Sequence, residues 1–588
     1  MSSEAWRTRR KLRRYGIAVS DYQVMTDQQT IRVAVTQFHV GADIDTNLAS
    51  CLHWLQQAAQ CKPDLVVLPE FCNHLSWYDD KQHCFDVSVT LDGPFLAAIA
   101  DKARELGIHV VVNCTVQRED GTATGSSLLY SPGGELLADN TKQIYIGHEN
   151  DFLEKAQTEG PIVTTPLGRL GLYACMDGVI NETPRCLALN GAQVMLNSLN
   201  SFATDEASLH IPVRAAENKV FVVAANKVGP LVPEDMIEAI SAGTGIPLEF
   251  LCGAGESQVV APDGTVLAMA SRDQAEYVYA DIDVLRANNK RRPDGTDVFA
   301  SRRPQLYQDI ARDPSQQTLP TMQGAASASA AVVQLAHAAD IEEACARVAE
   351  AVAAGAELIA LPPMPGDLEQ LQQAAAFGEQ LLASLAGVCA GAHVATAVVR
   401  CSERGEYQYC AVLVGADGPV LVQPQVHHSQ RFAFSALVDT FATAQLPCGR
   451  VAVISSDDSL YPETFRLLAM AGVEVVLLPL SPLEDWELHT GLLERSAENR
   501  INLLVAPDTV QHGPGFITSL QTDFTVLTEW QERPFDGLLS QPEWHRCPGQ
   551  PGVSLYPVRP ANAANKVVSR NTDLLTDRPW QLSGAIVR

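Results

Sequence analysis

The sequence predicts an α/β fold that occurs twice in one chain. Short runs rich in valine and leucine, such as "DLVVLPEF" (64–71), alternate with alanine- and leucine-rich segments such as 47–60, whose apolar residues recur at helical spacing. This alternation is typical of sheets that are covered by helices. The chain has 588 residues, which is too long for one ordinary core, so we expect at least two domains.

Individual elements follow from local patterns. Segment 95–107 ("FLAAIADKARELG") has the apolar spacing of a helix and ends in glycine, a typical helix terminator because glycine adopts the left-handed conformation without strain. The segment after it, "IHVVVNCTV" (108–116), is short and rich in β-branched residues, which predicts a buried strand.

An internal repeat supports the prediction of two related domains. A shift of 281 residues aligns 168–226 with 449–507 without gaps. The run "RAAEN" (214–218) then meets "RSAEN" (495–499). Because this run recurs in both copies, we expect its arginine, glutamate and asparagine side chains to support the fold or the interface. Other identical pairs are Gly168 and Gly449, Asp177 and Asp458, Glu182 and Glu463, and Arg185 and Arg466.

The repeat divides the chain into four parts. Residues 1–25 are basic, lack the apolar core of a secretory signal and are predicted to be a disordered extension. An organellar targeting peptide is the alternative, and Met25 is an alternative start. The first domain is placed at 26–312 and the second at 330–588. A polar stretch with proline, glycine and serine, 313–329, is interpreted as a linker.

Composition argues against several classes of protein. A net charge of −27 disfavours unaided binding to nucleic acid or acidic membranes. No apolar run is long enough for a membrane span. The 14 cysteines include no Cys-x-x-Cys pair, so a metal site or a disulfide framework is poorly supported. We therefore expect a reduced, cytoplasmic protein without a metal or other cofactor.

Reactive side chains follow apolar strands at three places in the first domain. Glu70 ends "DLVVLPE", Lys142 and Glu149 lie in "NTKQIYIGHE", and Cys175 follows "GRLGLYA". A thiol needs a base, which a semi-buried carboxylate can supply, and an ammonium can stabilise the negative charge that attack on a carbonyl carbon creates. Each residue alone also has a structural interpretation, such as a core cysteine, a helix-capping glutamate or a solvated lysine.

In combination, "LPEF" (68–71), "ACMDG" (174–178) and "RAAEN" resemble the carbon–nitrogen hydrolase, or nitrilase, superfamily over most of residues 31–308. This resemblance implies an α-β-β-α sandwich in each domain. It also implies that two such domains pair as an internal pseudo-dimer, which would be the building block of a homo-oligomer.

The resemblance assigns roles residue by residue. It implies that Glu70 is the general base, Lys142 the stabiliser of the oxyanion and Cys175 the nucleophile. Glu149 matches the second glutamate that positions the site, and the backbone N–H of Met176 would complete the oxyanion hole. The family needs no metal or organic cofactor.

The second domain has lost this set. Pro363 aligns with Glu70, Ser456 aligns with Cys175, and the chain has no lysine between Lys290 and Lys566. A hydrolase centred on Ser456 lacks an evident base and orienting group. His427 and His428 lie near the position of the lost lysine and are interpreted as structural. We therefore predict a degenerate, catalytically inactive second domain that shapes the pocket of the first.

These observations predict a hydrolase of non-peptide carbon–nitrogen bonds. An amidase acting on a small linear amide or carbamoyl compound is favoured, because "CMDG" resembles the aliphatic amidase branch more than the Cys-Trp-Glu of true nitrilases. A nitrilase is the runner-up, and an acyltransferase or scaffold role is the non-hydrolytic alternative.

Segment 229–257 is unusually long for a loop and is interpreted as a lid. Its apolar residues form either a pocket wall or the packed face of a surface helix. These residues are Ile237, Ile240, Ile246 and Phe250.

Overall fold

The computed structural model describes residues 29–337, 339–508 and 513–588. The predicted extension 1–25, with the alternative start at Met25, lies outside the described residues.

The first half of the chain builds two six-stranded sheets and a short two-stranded ribbon. The outer sheet has the strand order β14-β1-β2-β3-β4-β5, the inner sheet has the order β13-β12-β9-β8-β7-β6, and β10 pairs with β11. The strands are β1 Thr30–Gln37, β2 Leu65–Val67, β3 His109–Gln117, β4 Ala123–Tyr130, β5 Leu136–Thr141, β6 Ile162–Thr165, β7 Gly168–Ala174, β8 Val194–Ser198, β9 Phe221–Ala225, β10 Val228–Pro230, β11 Cys252–Ala254, β12 Gln258–Val260, β13 Val266–Met269 and β14 Glu276–Asp283.

Two helices of this half begin or end at residues that are typical of helix caps. The side chain of Asp43 accepts a hydrogen bond from the Thr46 N–H and caps α1. Gly107, with a φ of 68°, ends α3 as predicted. The helices are α1 Ile44–Ala58, α2 Lys81–Asp86, α3 Pro94–Leu106, α4 Glu149–Phe152, α5 Met176–Val179, α6 Glu182–Leu189, α7 Ile211–Asn218 and α8 Ile237–Thr244.

These elements stack as α-β-β-α, which confirms the predicted sandwich. Val33 and Leu65 of the outer sheet pack against Leu170 and Val194 of the inner sheet in one buried cluster. Helices α1 and α3 cover the outer sheet, and α6 and α7 cover the inner sheet. Apolar side chains on alternate strand positions fill each layer, as expected for sheets buried on both faces.

The second half repeats this arrangement. Its outer sheet has the order β19-β18-β17-β16-β15-β26 and its inner sheet the order β20-β21-β22-β23-β24-β25. Strand β15 begins at Ala328, inside the range expected for the linker, because it pairs along its whole length with β26. The elements are β15 Ala328–Gln334, α9 Ile341–Ala353, β16 Leu358–Ala360, α10 Leu371–Val388, β17 His393–Cys401, β18 Tyr407–Gly415, β19 Gly418–Pro424, β20 Ala444–Leu446, β21 Gly449–Val453, α11 Pro462–Met470, β22 Val475–Leu480, α12 Leu492–Asn499, β23 Asn502–Pro507, β24 Phe516–Ser519, β25 Glu543–Arg546, β26 Gly552–Val558, β27 Val567–Ser569 and β28 Thr572–Asp573.

The two halves meet through their inner helix layers. Cys186 of α6 and Val213 of α7 belong to the same buried apolar cluster as Leu468 of α11 and Leu492 of α12. The chain therefore stacks two sandwiches into eight layers, the pseudo-dimer that the resemblance implies.

Reciprocal ion pairs cross this interface. The Arg185 Nε atom lies 2.9 Å from Glu463 Oε1, and the Arg466 Nε atom lies 2.7 Å from Glu182 Oε1. A shift of 281 residues converts one pair into the other. The two halves are therefore related by a pseudo-two-fold axis that passes between these pairs, as in an isologous dimer.

The recurrent "RAAEN" and "RSAEN" runs form a second reciprocal set. Arg214 Nη2 lies 2.7 Å from Glu498 Oε2, and Arg495 Nη2 lies 2.5 Å from Glu217 Oε2. Asn218 accepts a hydrogen bond from Arg185 at 3.1 Å. Of the two expected roles, the arginine and glutamate pairs support the interface, whereas the Asn218 contact lies within the first half and supports its fold.

In the described part of the chain, no helix is both long enough and apolar enough to cross a membrane.

We expect Arg466→Met to lower the free energy of unfolding by about 3–5 kcal/mol, because it leaves the fully buried Glu182 carboxylate without its guanidinium partner. Arg185→Met is expected to lower it less, because Glu463 keeps Arg302 at 3.3 Å. Urea unfolding at pH 7 measures both effects.

The matched control is Arg347→Met, which breaks the solvent-exposed Arg347–Glu350 pair and should change the free energy of unfolding by under about 1 kcal/mol. An Arg466→Met protein as stable as this control would contradict the importance of the reciprocal pairs.

Candidate active site

The residues that the sequence singled out lie at strand ends on one edge of the first sandwich. Glu70 follows β2 of the outer sheet, Lys142 follows β5, and Cys175 follows β7 of the inner sheet. The two sheets are joined at this edge, since the Glu70 N–H donates to the Leu199 carbonyl at 3.1 Å. The ends of strands from two facing sheets therefore converge on one buried spot.

Lys142 lies between two buried carboxylates. Its Nζ atom is 2.8 Å from Glu70 Oε1 and 3.0 Å from Glu149 Oε2. All three side chains are shielded from solvent. The ammonium also lies over the rings of Phe71 and Tyr145, at 5.5 and 5.4 Å from their centroids. The structure thus brings together three of the residues that the sequence grouped.

Within the described residues, the carboxylate of Glu70 accepts no hydrogen bond of regular geometry. Its ion-pair partner in the described part of the chain is Lys142. A buried carboxylate with unused acceptor capacity lowers the stability of the fold, so its presence calls for an explanation such as a functional role. It is free to accept a proton from a neighbouring group.

Cys175 has a strained backbone. Its φ is 48° and its ψ is −111°, a region that non-glycine residues seldom adopt. The Cys175 N–H donates to the carbonyl of Ser198 at 3.0 Å and to Asn197 Oδ1 at 3.1 Å, which holds this conformation. Cys175 lies at the junction between β7 and α5. Met176 is the first residue of α5, so its backbone N–H has no partner inside the helix.

Burial and neighbouring charges set the protonation states. Burial raises the pKa of the Cys175 thiol well above its usual range, and the carboxylate of Glu70 raises it further. Burial also raises the pKa of Glu70, although the ammonium of Lys142 opposes this. Burial acts to lower the pKa of Lys142, but Glu149 and Glu70 outweigh it and the pKa is raised. The resting site therefore holds a neutral thiol beside an ammonium that stays charged.

Asp177 joins the lysine segment to the cysteine loop. Its Oδ1 atom accepts the N–H groups of Gln143 at 3.0 Å and Ile144 at 2.9 Å. Burial raises its pKa to about 7. Asp458 takes the same position in the second half and accepts the N–H of His427 at 2.8 Å. The repeat alignment matched the two aspartates but did not reveal this bracing role.

Sequence reasoning missed two further titratable groups near the site. Lys227 follows β9 and is fully buried, and its Nζ has no hydrogen-bond partner among the described residues. Burial lowers its pKa to about 8, while nearby groups including Glu70 act to raise it. Glu206 opens a π-helical turn, Glu206–His210, and burial raises its pKa to about 7. Lys227 closely follows the apolar run "VFVVAA" (220–225), which was a sequence signal, whereas Glu206 lies in the polar stretch "NSFATDEASLH" (200–210) and gave none.

The corresponding place in the second half is occupied by arginine. Arg292, which belongs to the first half, reaches across to Asp457 Oδ1 at 2.8 Å and to Glu487 Oε1 at 2.8 Å. Arg431 also contacts Asp457, with its Nε 3.0 Å from Oδ2. By the repeat alignment Asp457 matches Met176. In the second half, the place that matches the surroundings of Cys175 is therefore occupied by arginine side chains.

The histidine and serine considered for the second half have structural partners. His427 Nδ1 lies 2.8 Å from Asp458 Oδ1, its Nε2 lies 2.6 Å from the Tyr307 hydroxyl, and its ring stacks on Tyr461. Ser456 accepts the N–H of Ser481 at 2.9 Å. His428 is exposed.

Across the ranges 29–337, 339–508 and 513–588, no three or more His, Cys, Asp or Glu side chains are grouped so that they could hold a metal ion.

We expect Lys142→Met to destabilise the fold in a pH-dependent way. Without the ammonium, the pKa of folded Glu70 rises further above the value of about 4.3 that an unfolded glutamate has, so the folded state binds more protons than the unfolded state. The free energy of unfolding then falls as the pH rises from the unfolded pKa of Glu70 towards its higher folded pKa. Relative to the parent, the loss should approach about 3–5 kcal/mol at pH 7 and should be smaller at pH 5.

Urea unfolding at both pH values measures this loss. Lys102→Met, which removes a lysine paired with exposed Glu105, is the control and should show a small loss at both. A Lys142→Met deficit that is equal at pH 5 and pH 7 would contradict the prediction.

Comparison with known proteins agrees with this architecture. The family model described as carbon-nitrogen hydrolase matches residues 32–292 and 329–512, about three quarters of the chain. A nitrilase of Pyrococcus abyssi is 27% identical over 264 residues, which cover 45% of this chain and 93% of the relative. An (R)-stereoselective amidase of a Pseudomonas species is 31% identical over 256 residues, which cover 42% and 84%.

Among solved structures, an amidase from Nesterenkonia is similar with a TM-score of 0.39 and 23% identity, covering 49% of this chain and 99% of that one. The two matches of the family model fall on the two sandwiches. The chain belongs to the carbon–nitrogen hydrolase family, whose domain it carries twice in tandem, and it is a carbon–nitrogen hydrolase.

Proposed function

We propose that the first domain, 26–312, is an amidase that hydrolyses the carbon–nitrogen bond of a small-molecule amide or carbamoyl compound and releases ammonia or an amine. The observation that carries this proposal is the buried chain of ion pairs Glu70–Lys142–Glu149 beside a strained cysteine at the same sheet edge. The amidase from Pseudomonas, which is 31% identical, supports an amide as the substrate, and the nitrilase of Pyrococcus abyssi, which is 27% identical, makes a nitrile the second candidate.

The geometry supports a mechanism in two stages. In the first, Glu70 takes the proton of the Cys175 thiol, and the thiolate attacks the carbonyl carbon of the substrate. Negative charge develops on the carbonyl oxygen, where Lys142 Nζ and the Met176 N–H can stabilise it. When the carbon–nitrogen bond breaks, Glu70 returns the proton to the leaving nitrogen and a thioester remains on Cys175.

In the second stage of the reaction, Glu70 takes a proton from water, whose oxygen attacks the thioester carbonyl. A second oxyanion forms at the same donors and collapses to the carboxylic acid, and Glu70 returns the proton to the Cys175 sulfur. Glu149 takes no part in these transfers. Its ion pair holds the ammonium of Lys142 where the oxyanion forms, so it acts by positioning.

The second domain, 330–588, performs no chemistry in this proposal. Support comes from Arg292 and Arg431, whose guanidinium groups occupy the place that matches the active site of the first half. Its task is to pair with the first domain and to cover the site. Further association of this paired unit into a homo-oligomer is also proposed, and sedimentation measures it.

Ammonia release by the purified protein from primary amides, carbamoyl compounds and nitriles tests the activity. Cys175→Ala should lower release by at least about a thousandfold, because it removes the nucleophile. Cys186→Ala, which changes a buried cysteine at the domain interface, is the control and should retain most activity. Release from nitriles alone would replace the amidase with a nitrilase, and release that survives Cys175→Ala would reject the mechanism.

Lys227→Met should shift the acid limb of the pH dependence of kcat/KM to higher pH. The ammonium of Lys227 opposes the burial that raises the pKa of Glu70, and its removal lets that pKa rise. Below pH 7 Lys227 carries its charge, since its pKa is about 8. The control Lys227→Arg keeps the charge and should keep the parent's acid limb. Identical limbs in parent and Lys227→Met would show that this lysine does not act on the base.

A further inference from the structure

A cavity of about 720 Å³ opens onto Glu149, and its walls come from both halves of the chain. The first half contributes mainly apolar and aromatic side chains, among them Trp77, Phe152 and Ile240. The second half contributes a short stretch, Val526 to Thr528, and the side chain of Arg570. The cavity is large enough for an organic group well beyond a methyl.

Hydrogen bonds fix the second-half wall relative to the active site. The Thr204 N–H donates to the Gly537 carbonyl at 2.8 Å, and the Ser540 N–H donates to Asp205 Oδ2 at 2.6 Å. Closer to the site, the Gly147 N–H donates to Ser569 Oγ at 2.8 Å. Gly147 lies two residues before Glu149. The second-half segment that contains Ser569 is therefore bonded directly to the stretch of chain that positions Lys142.

Leu527 is the unusual residue of this wall. Its φ is 61°, a left-handed conformation that is costly for a leucine. Its side chain is 45% exposed, although its neighbours Val526 and Phe524 are buried. A methyl group at Gly147 would lie 3.9 Å from Leu527 Cδ1, so the leucine stands over the backbone leading to Glu149. Strain of this kind points to a functional constraint.

The lid segment supplies the facing wall. Ile240 of α8 lines the cavity, whereas Ile246 and Phe250 pack against Phe535 of the second half. The Phe250 and Phe535 rings lie 5.5 Å apart. Ile240 therefore fits the interpretation as a pocket wall, whereas Ile246 and Phe250 lie beyond the end of α8 and pack on the second half. Ile240 also packs against this cluster, which holds it in place.

The charges around the cavity are already engaged. Glu149 is paired with Lys142, and Asp151 is paired with Arg570. His148 Nε2 lies 2.8 Å from the Ser76 carbonyl. Among the described residues, the lining therefore offers no unpaired charge that could hold a carboxylate or ammonium of a substrate, and it favours a neutral apolar group.

We propose that this cavity is the acyl subsite, that it takes amides of neutral, apolar carboxylic acids with a chain or ring of about six carbons, and that Leu527 of the second domain limits its length. The proposal rests on the proposed amidase function. It gives the second domain a role in substrate selection and narrows the expected small amides to those whose acyl group is neutral and apolar.

The experiment measures binding and hydrolysis separately. Binding of acetamide, butyramide, hexanamide and phenylacetamide is measured calorimetrically on Cys175→Ala protein, which keeps the cavity. Affinity should rise about fourfold for each added methylene up to the wall. Leu527→Trp should lower affinity for hexanamide and phenylacetamide by at least about tenfold and leave acetamide unchanged. Leu527→Ala, which shortens the side chain at the wall, should extend the increase in affinity with chain length to octanamide.

Leu555→Ala is the matched control, since Leu555 is 39% exposed but lies on β26 of the outer sheet of the second half. Affinity that does not rise with chain length, or Leu527 variants that behave like this control, would overturn the proposal. Hydrolysis by the parent protein separates the two claims. Binding that rises with chain length without any ammonia release would reject the amidase function and keep the subsite.

Discussion

The reciprocal Arg–Glu pairs across the pseudo-two-fold axis are the constraint on which the rest of this structure depends. Four arginines and four glutamates of α6, α7, α11 and α12 are buried together, where each charge is costly unless its partner is present. Half of each pair comes from each domain. Neither domain can therefore bury its inner helix layer alone without leaving charges unpaired, and the pairing admits a single register between the halves.

This pairing brings the end segment of each half onto the other half. Arg292, three residues after Asn289, reaches the second domain, where it meets Asp457 and Glu487. Val568, three residues after Asn565 in the matching segment, packs in one apolar cluster with Met176 beside the cysteine. The two places thus differ in that arginine and Asp457 form an ion network in the second half, whereas valine and Met176 pack together in the first.

Within the first half, the electrostatics of the site follow from burial. Lys142 remains charged because two carboxylates face it, and it in turn keeps them in place without solvent. The strained backbone of Cys175 and the bracing by Asp177 set the loops around this chain of charges. Hydrogen bonds from the Cys175 N–H to Ser198 and Asn197 at the end of β8 hold this strained backbone at the edge of the inner sheet.

The sequence by itself determined the α/β class, the tandem repeat and the group Glu70, Lys142, Glu149 and Cys175, because strand-end positions and an internal copy are local patterns in one dimension. It also indicated that "RAAEN" supports the fold or an interface. The unpaired Lys227, the arginine that fills the second site and the wall at Leu527 were decided only by the tertiary structure. Each of them depends on contacts between residues that are far apart in the chain, often from opposite halves, and no local pattern encodes which distant charge or side chain a buried group will meet.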